Sequence, residues 1–138
     1  MQDIHTVEIR QLELSDYDEL QKSMKSAYDW TPAWSRDEIN RLITKFPEGQ
    51  FVAVADGKVV GSALSIIVDY SKFGDEHTYL QITGNYQFDT HDPDGNVLYG
   101  IDVFIHPDYR GLRLGRRLYD SRKELCEHLN LESIMFGG

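Results

Sequence analysis

Residues 103–117 read VFIHPDYRGLRLGRR. An apolar alternating run meets a turn that carries Gly111 and Gly115 among Arg110, Arg113, Arg116 and Arg117, and an amphipathic helical pattern follows. A strand that ends in such a turn presents backbone N–H groups at a helix N-terminus, where the helix dipole also favours negative charge. Successive amides in a glycine-rich bend form an anion-binding concavity. The chemistry is therefore that of a cradle for a phosphate or pyrophosphate. The same residues also fit a plain strand-to-helix turn whose glycines only ease the bend; the arginines and Pro107 favour the anion.

Other residues that could do chemistry are scattered. Asp102, Tyr99 and His106 lie on or beside the same apolar run. Asp102 reads as a solvated strand carboxylate, and His106, just before Pro107, as a turn residue. Asp89, His91, Asp92 and Asp94 invite a metal test, but a calcium loop is closed by a distant Glu and this run has none at the required spacing. A polar turn is the simpler reading, and no metal site is expected. Cys126 sits inside a helical pattern and reads as a core or lightly exposed thiol.

Charge narrows the partners. The chain has 138 residues and a net charge of -9, with 41% hydrophobic and 27% charged residues, the composition of one globular domain with a real core. An acidic chain is a poor non-specific binder of nucleic acid, which relies on phosphate neutralisation. The densest basic patch is Arg110, Arg113, Arg116, Arg117, Arg122 and Lys123, and a basic spot on an acidic protein points to a specific anion site. The single cysteine forbids an internal disulfide and fits a reducing cytoplasm. The N-terminal residues lack the basic-then-apolar pattern of a signal peptide, no apolar run approaches about 18 residues, and no partner membrane is expected.

The elements that must position the turn follow from periodicity. Residues 6–12 alternate as a strand. Ser15 offers an N-cap, and Tyr17, Leu20, Met24, Ala27 and Tyr28 recur at helical spacing over residues 15–28. A break at Trp30, Thr31 and Pro32 follows. Ser35 with Glu38 forms a capping box for a second helix whose stripe is Ile39, Leu42, Ile43 and Phe46. Residues 50–55 and 58–70 read as two strands joined by the Asp56–Gly57 turn, with Gly61 marking a bulge or a close approach. Residues 78–83 form a short strand or irregular cover, and residues 84–96 a polar loop. A strand over residues 97–105, a helix over 112–130 with Leu114, Leu118, Leu125 and Leu129 on one face, and a strand over 132–136 complete the order. The last three make a crossover between parallel strands. The predicted fold class is α/β, a mixed central sheet with helices on both faces.

This order, together with the run from Ile105 to Gly115, resembles the acetyl-CoA-binding core of the GNAT superfamily of N-acetyltransferases. That family's pattern places Arg or Gln, two residues, Gly, one residue, then Gly or Ala after an apolar strand. The resemblance implies a GNAT-like fold and acetyl-CoA as cofactor. It implies that Val103, Phe104 and Ile105 offer backbone groups to the pantetheine arm. It implies further that Arg110, Gly111, Leu112, Arg113, Leu114 and Gly115 wrap the pyrophosphate, with Arg116 adding a cation. Leu114 and Leu118 would pack the helix on the sheet. Arg113 departs from the pattern by replacing the first glycine. The implied reaction is acyl transfer to an amine by direct attack, with a carboxylate or ordered water as base. The connection bearing Trp30 and Trp34 would line the acceptor site or simply pack.

A narrower resemblance runs from Thr83 through His91, Pro93, Gly95 and Tyr99 to Tyr119. It is to the N-terminal GNAT-like domains of two-domain proteins whose C-terminal part is a carbon–nitrogen hydrolase of the nitrilase type, in which an arginine at position 113 is normal. It implies a single GNAT-like domain over residues 1–138 that lacks the family's last helix and two strands. The hydrolase triad lies outside these residues, and Cys126 is not its nucleophile. The alternative role is a CoA-binding or non-catalytic docking domain for that hydrolase. An exposed sheet edge would permit a homodimer.

Overall fold

The computed structural model describes residues 6–27, 34–74 and 76–136. Tyr28, Trp30, Thr31 and Pro32, which figure in the sequence reading, lie outside them.

A five-stranded sheet forms the centre, in the order β1 (Val7–Gln11), β2 (Phe51–Ala55), β3 (Lys58–Val68), β4 (Val97–Ile105), β5 (Ser133–Phe136). The first three pairings are antiparallel and β4 with β5 is parallel, so the sheet is mixed as predicted. Asp56 and Gly57 both have positive φ, 54° and 80°, the geometry a two-residue hairpin needs to match strand twist. β3 is central, and all its residues but Lys58 are buried.

Helices cover both faces. Leu20 and Met24 of α1 (Tyr17–Ala27) and Ile39 and Leu42 of α2 (Arg36–Lys45) share a core with Val52, Leu64, Ile66 and Val68. On the other face Leu114 and Leu118 of α4 (Leu114–His128) pack on Phe51, Ala53, Ala55 and Ala63. Cys126, the expected core thiol, packs there with Phe46, Ile67 and Leu98. Among the described residues no helix is long and apolar enough to cross a membrane.

Two bulges bend the sheet where it meets the turn of interest. Ala53 pairs with Gly61 but Val54 with Val59, so Val60 is an extra residue in β3. Leu64 pairs with Asp102 but Ser65 with Gly100, so Ile101 is an extra residue in β4. Each insertion flips the in–out alternation. Leu98 and Phe104 would share a face in a regular strand, yet they pack in cores on opposite faces. Gly61 also shows the close approach predicted for it, since a Cβ there would lie 2.8 Å from the Phe104 carbonyl oxygen.

Some local expectations need correction. The first helical segment opens as a 3-10 turn, Leu14–Asp16, capped at Glu13 and not at Ser15. The Glu13 N–H donates to Asp16 at 2.9 Å, and Arg10 grips the same carboxylate with two bonds of 2.8 Å. Residues 78–83 are not a strand: Thr78 and Gln81 form a capping box around the one-turn helix α3 (Tyr79–Ile82). The Thr-x-x-Gln spacing announces that cap. The Ser35–Glu38 box of α2 is present as predicted, with bonds of 2.8 and 3.1 Å. Residues 84–96 form a loop, but it is more than polar cover, because Phe88 takes φ 58° to drive its ring fully into the core.

Candidate functional site

The turn after β4 is built in two steps. His106 accepts from the Asp108 N–H through Nδ1 at 3.1 Å and donates its own N–H to Val60 at 2.7 Å, which fixes a 3-10 turn, Pro107–Tyr109. It is the turn residue predicted. The chain then reverses through Gly111 at φ 93° and Arg113 at φ 58° before α4 begins. Arg113 is the N-cap of α4 and gives no side-chain cap, and the first helical bond runs from the Arg117 N–H to the Arg113 oxygen at 3.1 Å. The amides of Leu114, Gly115 and Arg116 therefore stand ahead of the ladder, the usual condition of a helix N-terminus.

A Cβ added at Gly111 or at Gly115 would meet nothing within 4 Å, so the mouth of the turn is open to a ligand. The donors are amides and guanidinium groups, the chemistry a pyrophosphate requires. Arg110, Gly111, Arg113, Gly115 and Arg116 are all exposed around this mouth. Leu112 is half-buried and Leu114 buried, with both side chains packed toward the sheet. On β4, Val103 is 43% exposed, Phe104 is core and Ile105 is half-buried. The register with β5 runs from Val97–Ser133 to Gly100–Phe136, and β4 continues past it to Ile105.

A second group lies one strand segment upstream, where the β4 bulge turns Asp102 toward the face covered by α1 and α2. Its carboxylate accepts from the Trp34 indole N–H at 3.0 Å. Trp34 is itself held by the Tyr17 hydroxyl, which donates to its carbonyl at 2.8 Å. Aromatic rings wall the group: Trp34 meets Tyr86 edge-on at 5.4 Å and Phe88 at 6.0 Å, and Tyr79 lies 6.0 Å from Tyr86. Burial raises the Asp102 carboxyl above the usual carboxylate range, against opposing pulls from the Trp34 bond, the Val103 amide and Arg122. Asp102 is thus not the solvated strand carboxylate predicted. It is half-buried and desolvated, as a carboxylate poised to take a proton must be.

Tyr99 places its ring in the core and its hydroxyl against His77 Nε2 at 2.9 Å. The His77 Nδ1 donates to the Gly74 carbonyl at 2.7 Å, so in the neutral ring Nε2 accepts from the tyrosine.

These elements compose a strand with an inserted residue, a half-buried carboxylate next to that residue and an open helix N-terminus at the strand's end. The sequence profile of the acetyltransferase (GNAT) family matches residues 7–137. The chain belongs to the GNAT family.

Relatives within and around that family differ in length. The chain is 38% identical over 130 residues to "Probable hydrolase YhcX" of Bacillus subtilis (strain 168), covering 94% of this chain and 25% of that protein. It is 36% identical over 105 residues to "Uncharacterized N-acetyltransferase YkwB" of the same organism, covering 76% of this chain and 46% of that protein. It thus spans a quarter to a half of these two curated relatives. Among solved structures, the loading GNATL domain of CurA from Lyngbya majuscula is similar with a TM-score of 0.72 at 26% identity, over 88% of this chain and 58% of that one. The GNAT-like fold predicted from the sequence is the fold found.

Against the GNAT pattern the chain shows what charge alone concealed. Arg122 does not belong to the exposed basic patch; it is 2% exposed on the inward stripe of α4, donating to the carbonyls of Leu64 at 2.6 Å and Asp102 at 2.8 Å. Its place four residues after Leu118 was the available signal. Arg110, Arg113, Arg116, Arg117 and Lys123 remain exposed. His91 accepts the Ile67 N–H at 3.0 Å and stacks on Phe46 at 4.8 Å, and Asp92 accepts from the Asp94 N–H, so both close the loop.

Proposed function

We propose that this domain binds acetyl-CoA, or a related acyl-CoA, at the β4–α4 turn and serves transfer of the acyl group to an amine. The carrying observation is the open N-terminal turn of α4 set at the end of the strand that holds the desolvated Asp102. In this reading the amides from Gly111 to Arg116 hold the pyrophosphate, with Arg113 and Arg116 adding charge at the rim. The backbone of Val103, Phe104 and Ile105 aligns the pantetheine arm as a strand aligns a neighbour. When bound, the cofactor would supply a thioester, and an amine attacking its acyl carbon would form the amide C–N bond as the C–S bond breaks and CoA leaves as its thiolate. Asp102 takes the proton that the amine must lose, and the bond from Trp34 to Oδ2 holds the carboxylate in place. The aromatic wall of Trp34, Tyr79 and Tyr86 keeps water from that carboxylate and offers rings to the approaching amine. The three residue steps from Asp102 to Ile105 span about 10 Å of extended strand, which separates the base from the anion cradle along the direction of an extended arm.

Isothermal titration of acetyl-CoA, followed by a thiol-release assay over a panel of amines, tests the reading. Asp102→Asn should lower kcat by about 10²–10⁴-fold with acetyl-CoA affinity retained. Absence of heat at roughly 1 mM cofactor would sink the reading.

A second reading is favoured by the likeness to a hydrolase of which this chain covers a quarter. In it the domain is the N-terminal part of a two-domain protein with a carbon–nitrogen hydrolase, and binds CoA to dock or regulate that partner without turnover. Cofactor binding with no thiol release from any amine, but with altered hydrolase activity in the longer protein, selects it.

A further inference from the structure

A bulge leaves one residue outside the ladder, and its carbonyl must find a partner elsewhere. In β4 the inserted residue is Ile101, followed at once by Asp102. The Ile101 carbonyl accepts the Tyr79 hydroxyl at 2.7 Å. Tyr79 comes from α3, which packs against the core on the α1 and α2 side, and the Thr78–Gln81 box fixes that single turn. The Asp102 carbonyl accepts Arg122 Nη2 at 2.8 Å, and the same nitrogen reaches the Leu64 carbonyl at 2.6 Å. Arg122 comes from α4 on the other face. Leu64 and Asp102 are the last regular pair before the register shifts.

We infer that Tyr79 and Arg122 are positioning residues that grip the β4 bulge from opposite faces of the sheet, through the carbonyls of Ile101 and Asp102, and so fix where the Asp102 carboxylate points.

The choice of residues argues for this role over packing. An apolar side chain on the inward stripe of α4 would fill the same space without burying a guanidinium, which is costly unless its partners repay it. Burial draws the Arg122 pKa down to about 10, which leaves it charged at neutral pH and able to bridge two carbonyls. Burial raises the Tyr79 phenol, so its hydroxyl stays a donor. The Arg122 charge from α4 acts on the Asp102 carboxyl, which in turn acts on the Tyr79 phenol of α3 together with Tyr86, Tyr99 and Glu38 of α2.

The inference rests on the reading of Asp102 as the base, so the test has readouts that need no turnover. In the full protein with ¹³C-labelled aspartate, amide exchange along β4 and the Asp102 titration are followed in Tyr79→Phe and Arg122→Met, alongside kcat and KM. Tyr79→Phe removes a single hydroxyl and guards against an Arg122→Met protein that does not fold. In each variant exchange at Asp102 and Val103 should quicken about 10-fold while β1 and β2 stay unchanged. The Asp102 midpoint should rise in Arg122→Met, which removes a neighbouring charge, and move less in Tyr79→Phe. Where the protein transfers acyl groups, kcat should fall at least about 10-fold with KM for acetyl-CoA within about 2-fold. Exchange quickened evenly over the sheet with an unmoved Asp102 titration overturns the inference and leaves both residues as core filling, as does an unaltered bulge in Tyr79→Phe. If the exchange and titration respond but no protein transfers, the grip stands and the transfer reading fails. If wild type transfers and the bulge is unaltered, the grip fails and the transfer reading stands.

Discussion

At the residue scale the two informative positions are Asp102 and Arg113. A base must be deprotonated to work, so transfer should be lost as pH falls through the Asp102 pKa. Because burial raises that pKa, the acid limb of kcat/KM should lie clearly above the ordinary aspartate value of about 3.9. A limb at or below that value would remove Asp102 from the role. Arg113 holds a left-handed conformation at φ 58° with its side chain in solvent. That conformation costs an L-residue roughly 1–2 kcal/mol, more than the roughly 0.5–1 kcal/mol that glycine loses in chain freedom. Arg113→Gly should therefore raise the melting temperature by a few degrees, with about 0.5 kcal/mol gained. If the amides hold the pyrophosphate, affinity for acetyl-CoA should fall by less than about 5-fold, the worth of one exposed ion pair. A loss beyond 10-fold would make the cation itself a phosphate ligand.

At the element scale the bulges decide the geometry. Gly61→Ala would push a methyl to 2.8 Å from the Phe104 carbonyl, a backbone atom that can yield only if β3 and β4 part. A loss of roughly 1–3 kcal/mol in urea unfolding is expected. The same region shows how far the sequence could be read. The bounds of β4, the α2 capping box and the Asp56–Gly57 hairpin were all legible, because each depends on neighbours within four residues. The inward turn of Asp102 was not, because an inserted residue flips alternation without leaving a sign in residue type. Asp102 therefore looked like any solvent-side acid in a strand. Arg122 was misread for a different reason: its spacing from Leu114 and Leu118 put it inside, and its charge argued it outside. Residues 78–83 suggest a short strand or irregular cover because Tyr79, Leu80 and Ile82 suit a strand as well as a helix, and only the Thr78–Gln81 cap marks the helical turn.

At the scale of the whole molecule, both faces of a single sheet are covered by helices from one chain, and the two cores meet across β3. Unfolding should therefore be one cooperative transition in calorimetry, and acetyl-CoA at 100 times its Kd should stabilise it by about 2.7 kcal/mol. Two separate transitions would mean that the faces are independent units. The strands also lie in the sheet in the order in which they occur in the chain. No strand has to wait for a later one to be inserted between it and its neighbour. Emerging from a ribosome, β1, β2 and β3 can pair before the residues of the cradle have been made, so the nascent sheet is a template on which β4, α4 and β5 are laid down. Low sequence separation favours fast pairing. The last pairing in chain order is the parallel closure of β5 on β4, which needs α4 to cross over first. A nascent chain stalled once Val68 has left the exit tunnel should thus carry a protected β2–β3 hairpin with no assembled cradle, and the site forms only after the strands that carry it.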